Sequence, residues 1–127
     1  GIGCIAFSPL AQGMLSDKYL KTIPKNSRIS DNSSLDKKMI TKSYIYKINE
    51  LTKIAKKRNQ TLPQMAISWV LRHKNMTSAL IGARTVKQLD ECIDSQKNMT
   101  FSSKEIKEIN KYAKEENINL WARSSNN

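Results

Sequence analysis

Two stretches of the chain bring a glycine and basic side chains to the abrupt end of an apolar run. The first is Ser8-Pro9-Leu10-Ala11-Gln12-Gly13, followed by Lys18 and Arg28; the second is Ile81-Gly82-Ala83-Arg84, just before a helix start at Thr85. Glycine lets a ligand approach the backbone closely, and the first turn of a helix offers N–H groups without internal partners. With a guanidinium or ammonium group added, such loops suit a phosphate or another anion. A plain turn at Gly82 and a solvated Arg84 fit the same spacing equally well. Acid–base and nucleophilic chemistry has little to stand on. His73 is the single histidine, it sits near a predicted helix end, and no nucleophile motif accompanies it, so a structural or solvent-exposed role is preferred. No cluster with metal-ligand spacing is present in the sequence.

The elements that position these loops can be read from apolar spacing. Residues 2–7, with Ile2, Cys4, Ile5, Ala6 and Phe7, read as a buried strand, because apolar residues run on without polar alternation. Residues 8–36 read as a long loop, a length that in a compact domain is usually functional or disordered. A helix starting between Asp36 and Thr41 and ending near Arg58 carries Ile45, Ile48, Leu51, Ile54 and Ala55 on one face. Thr61-Leu62-Pro63-Gln64 predicts a capping box and a helix to about His73, with Met65, Ala66, Trp69 and Val70 inward. Residues 77–81 read as a second buried strand. Capping boxes at Thr85–Gln88 and Ser102–Glu105 predict two more helices, with Leu89, Cys92 and Ile93 inward on the first and Ile106, Ile109, Tyr112 and Ala113 inward on the second.

Two buried strands separated by helices imply a parallel, right-handed β-α-β crossover. Two parallel strands cannot close a sheet, so neighbours are expected on both edges. Together with a start at Gly1, directly in a strand, this leads to the expectation of a piece of a larger α/β domain.

The chain has 127 residues, 39% of them hydrophobic, which supports one small core. Its 22 Lys and Arg against 11 Asp and Glu give a net charge of +11. That balance invites a polyanionic partner. The cations are scattered, however, and the clusters Lys37-Lys38 and Lys56-Lys57-Arg58 carry no interleaved aromatics. A solvated lysine-rich face is therefore preferred to a specific nucleic-acid surface. Cys4 and Cys92 have no CxxC spacing and suit a reduced, cytoplasmic setting. No apolar run approaches the ~20 residues of a membrane span.

The segment Gly3–Gly13 with Lys18-Tyr19 resembles the seventh strand and following loop of the aldo-keto reductases. Leu80–Arg84 with Gln88, Leu89 and Glu91 resembles their eighth strand and last barrel helix. Ile23-Pro24, Ser27-Arg28 and Asn119-Leu120-Trp121 sharpen the likeness toward the branch holding glyceraldehyde-phosphate reductase-like enzymes and the potassium-channel β subunits. The resemblance implies the C-terminal portion of a (β/α)₈ barrel, residues 1–127 forming part of a single barrel domain whose N-terminal part is absent. It implies NADPH as cofactor, a small carbonyl substrate and the N-terminal part of the same barrel as partner, and leaves a homo-oligomer open. Ser8, Pro9, Leu10, Ala11, Gln12 and Gly13 would line the pyrophosphate side, and Lys18 and Arg28 would close over the cofactor. Gly82 and Arg84 would meet the adenosine phosphate, Gln88 and Glu91 the adenine and ribose side, and Phe7 the nicotinamide. Asp17, Cys92 and Arg84 stand where relatives have glycine, asparagine and, in some, serine; Arg84 favours a 2′-phosphate. The family's catalytic aspartate, tyrosine, lysine and histidine all belong to the first half of the barrel, so no catalytic residue is expected here and the piece alone is expected to be inactive. The alternative implied by the same motifs is a cofactor-sensing accessory subunit of the channel type.

Overall fold

The computed structural model describes residues 1–20, 25 and 37–114. Strand β1 (Cys4–Phe7) leads through 3-10 turns at Ala11–Gly13 and Asp17–Tyr19 into the long connection. After a third such turn at Lys37–Met39 come helices α1 (Lys42–Lys57) and α2 (Leu62–Leu71), strand β2 (Met76–Leu80), helix α3 (Val86–Asp94), a 3-10 turn at Ser95–Asn98 and helix α4 (Ser103–Tyr112). The expected order of elements is present. The strands are shorter than expected or start a residue earlier, and the described part of the connection after β1 holds 3-10 turns rather than plain loop.

The helix starts follow the capping chemistry. Thr61 accepts from the Gln64 amide (3.3 Å) and Gln64 Oε1 accepts from the Thr61 amide (2.9 Å), a complete capping box with Pro63 in the first turn. Ser102 and Glu105 make the same reciprocal pair at α4. Thr41 caps α1 by accepting from the Tyr44 amide at 3.0 Å. The box expected at Thr85 is only half formed. Thr85 Oγ1 accepts from the Gln88 amide (3.2 Å), but the Gln88 side chain reaches past Thr85 to the Arg84 amide (2.9 Å).

β1 and β2 pair in parallel, as the crossover requires. The register steps between Cys4↔Met76 and Ile5↔Ser78, leaving Thr77 as an extra residue. Its hydroxyl accepts from the Cys4 amide at 3.0 Å and so replaces a missing ladder bond. A Cβ on Gly3 would lie 3.1 Å from that hydroxyl, so glycine there leaves room for the bulge.

The core sits among α1, α2, α4 and the segment after β1. Ile48, Leu51, Ile54, Ala55 and Ile109 are buried as their spacing predicts, joined by Met14 and Tyr19. On α2 the buried set is Leu62, Met65, Ile67 and Ser68, with Trp69 packed at the edge; Ala66 and Val70 are only half-buried. On α4, Ile106 and Tyr112 are half-buried and Ala113 is exposed at the C-cap.

The expectation of buried strands fails. Ile5 is 65%, Phe7 61% and Leu80 64% exposed, and Val86, Leu89 and Ile93 of α3 are exposed too. The apolar faces are where the spacing puts them, but no second layer covers them among the described residues.

Candidate functional site

Phe7 pairs with Leu80 at the carboxyl ends of the two parallel strands. The chain leaves the sheet at the next residue of each, so the Ser8 loop and the Ile81-Gly82 loop start side by side. Strand ends of this kind are where α/β proteins place their ligands.

The first loop is wound tightly against backbone preference. Ser8 (φ 51), Ala11 (φ 46) and Gln12 (φ 58) all adopt left-handed conformations, followed by Gly13 at φ 94. Each non-glycine residue held there costs about 1 kcal/mol or more, so the surroundings must over-determine the turn. They do so with hydrogen bonds. The Ala11 and Gly13 amides donate to the Ser8 and Leu10 carbonyls, both at 2.9 Å, and the Ser16 hydroxyl donates to the Gly13 carbonyl at 2.6 Å. From α1, the buried Tyr44 hydroxyl donates to the Met14 carbonyl at 2.6 Å. Burial first, and the neighbouring Tyr19 second, raise the Tyr44 pKa above the usual phenol range, so it stays a protonated donor across ordinary pH. Tyr44 was not among the sequence candidates. Its only sequence signal is an aromatic in the first turn of α1.

Ser16 also caps the next turn, accepting from the Lys18 amide at 3.3 Å. The Lys18 ammonium lies 5.5 Å from the ring centre of Tyr19, which is buried beneath it, so the cation is held at the surface of the loop. Arg28 lies outside the described residues, as do Ile23-Pro24, Ser27 and Asn119-Leu120-Trp121.

The second loop is open. Gly82, Ala83 and Arg84 are exposed, and a Cβ added to Gly82 would meet nothing within 4 Å. Gly82 is therefore not demanded by crowding within the chain; its bare backbone faces space. The bond from the Arg84 amide to Gln88 Oε1 folds the loop over the first turn of α3. Glu91, one turn further on, is half-buried beside Cys92. Burial first, then the Glu91 carboxylate, push the Cys92 thiol up, which makes it a poor nucleophile.

A bare glycine backbone, Arg84 and a helix N-terminus follow the end of β2, and Lys18 follows the loop after β1; such groups are of the kind that can bind an anion. The same residues include no base or nucleophile placed for chemistry. Among the described residues there is no group of three metal-ligating side chains, and no helix is long and apolar enough to cross a membrane.

The model of the Aldo/keto reductase family matches residues 1–114. The chain belongs to this family. It is 42% identical over 129 aligned positions to the L-glyceraldehyde 3-phosphate reductase of Escherichia coli strain K12, and 40% identical to the protein of that name in Escherichia coli O157:H7. Each comparison takes in 98% of this chain and 37% of the relative. The chain thus spans little more than a third of the length of these curated relatives. Aldo/keto reductases are (β/α)₈ barrels, and the α/β arrangement with a small parallel sheet accords with a part of one.

One residue departs from its sequence reading. Arg58 ends the Lys56-Lys57-Arg58 cluster read as solvated, yet its side chain is only 3% exposed. It bonds Glu105, Gln60 and the carbonyls of Asn98 and Thr100, and stacks 3.7 Å from the centre of the Phe101 ring.

Proposed function

We propose that the chain forms the C-terminal portion of an aldo/keto reductase barrel, supplying its seventh and eighth strands and the loops that hold NADPH, and that the intact protein reduces an aldehyde or ketone to an alcohol. The observation that carries this reading is the Phe7↔Leu80 pairing, which starts the two anion-suited loops side by side. The bound cofactor supplies the hydride. Residues of this chain bind and orient it: Ser8 to Gly13 and Lys18 at the pyrophosphate, with Arg28 completing the clasp, and Gly82 and Arg84 at the adenosine phosphate. Gln88, whose oxygen is engaged by the Arg84 amide, shapes that phosphate loop and with Glu91 flanks the adenine and ribose. Phe7, exposed at the strand end, offers an apolar face to the nicotinamide. The name of the two Escherichia coli relatives points to a small phosphorylated aldehyde as the substrate class.

The test is a fluorescence titration of the intact protein with NADPH and NADH. Losing a charge-assisted contact to the 2′-phosphate predicts that Arg84→Ala weakens NADPH roughly tenfold or more while hardly changing NADH. Equal NADPH affinity in the variant, or no binding by the wild-type protein, contradicts the proposal.

A further inference from the structure

α3 is an unusual helix to find in the middle of a ligand site. It buries no residue, and its apolar side chains Val86, Leu89 and Ile93 are exposed. Among the described residues it packs on α2, and polar bonds hold the turn at its far end. There α3 runs directly into the 3-10 turn Ser95–Asn98, and side chains from outside reach the carbonyls at both ends of that turn. The donors come from α2 and from the turn that joins α1 to α2. Ser68 donates to the Ser95 carbonyl (2.7 Å, buried), and Gln60 Nε2 and Arg58 Nη2 both donate to the Asn98 carbonyl at 3.1 Å. Arg58 Nη1 reaches the Thr100 carbonyl (3.1 Å) and Glu105 (2.6 Å), and Asn98 Nδ2 closes the circuit by donating to the Arg58 carbonyl at 3.2 Å.

The guanidinium is a buried C-terminal cap in trans, with its charge suited to the negative end of the helix. Its planar fork spreads five donors over three nitrogens and so meets acceptors on different sides, a reach that the compact ammonium does not have.

We propose that Arg58 is a positioning residue for the cofactor site, holding the end of the Ser95–Asn98 turn that continues α3, so that the Gly82–Arg84 loop at the other end of α3 keeps its place. This rests on the assignment of that loop to the cofactor. Through α3 and the following turn the lever is about 20 Å long, so a tilt of about 5° would displace the loop by about 1.7 Å. Displacements near 1 Å can cost up to about a hundredfold in a preorganised site.

The test compares Arg58→Lys with Leu51→Ala, a core truncation in α1, in the intact protein. Binding and exchange are read below the melting range, as the dissociation constant for NADPH and the amide hydrogen exchange of residues 82–94 without cofactor, with kcat at saturating cofactor as a third readout. Arg58→Lys is expected to raise the dissociation constant about tenfold, leave kcat at saturating cofactor within about twofold, and speed exchange selectively in residues 82–94. Leu51→Ala is expected to lower Tm without either change. Unaltered binding and exchange in Arg58→Lys, or an equal response in Leu51→Ala, overturns the proposal. If the wild-type protein binds no NADPH, the cofactor assignment fails instead, and the exchange measurement still decides whether Arg58 holds α3.

Discussion

Asn59 shows how one residue turns the chain inward. It sits at φ 56 just past α1; its amide donates to the Lys56 carbonyl and the Gln60 amide to the Ala55 carbonyl, both at 3.0 Å. This is a Schellman closure with asparagine in the left-handed position where glycine is usual. Asn59→Gly removes the Cβ penalty and should stabilise the protein by about 0.5–1 kcal/mol, seen as a higher Tm. An unchanged or lower Tm would show that the asparagine side chain contributes more than the backbone strain costs. The same turn explains why Arg58 was misread: its neighbours Lys56 and Lys57 are exposed, and a run of three cations carries no sign that the C-cap will swing the third into a buried network.

At the scale of elements, α4 illustrates how a cap is linked to pH. The Glu105 carboxyl is held below the usual carboxylate range, first by the Ser102 amide; burial, the next largest effect, opposes this, and the Ser102 hydroxyl and Arg58 add to the lowering. Its folded pKa is depressed, so its contribution to stability is present above the ordinary carboxylate pKa and is lost as pH falls through the folded value. Melting curves of wild type and Glu105→Gln should therefore lie furthest apart near neutral pH and converge in acid. A separation independent of pH would mean that the ionised carboxylate is not what the cap uses. The boxes at Thr61 and Ser102 were legible because their chemistry is local, reaching only three residues. Thr85 was half legible, because nothing local dictates that Gln88 should choose the Arg84 amide over that of Thr85. The parallel pairing of β1 and β2 followed from the intervening helices, whereas the bulge at Thr77 depends on a hydroxyl crossing between strands.

At the scale of the whole molecule, apolar spacing tells which face of an element seeks cover but not what provides it. Ile5, Phe7, Leu80, Leu89 and Ile93 form the apolar set expected from spacing, and all are exposed. The buried core forms instead where α1, α2 and α4 enclose Met14 and Tyr19. A barrel reading assigns the uncovered strands and α3 to packing against further strands and helices, while Tyr44 and Arg58 fix the two loops from the covered side. The candidate loops themselves were legible from glycine, cation and capping residues. The left-handed backbone of the first loop was not, because apart from Gly13 it falls on non-glycine residues, nor was the tyrosine that anchors it, because that bond joins residues 30 apart.

The most direct measurement is amide hydrogen exchange of the intact protein with and without NADPH. Protection should appear together in residues 8–13 and 82–88, the loops that adjoin through Phe7 and Leu80. Protection of neither loop, or of one without the other, would contradict a shared cofactor site at these strand ends.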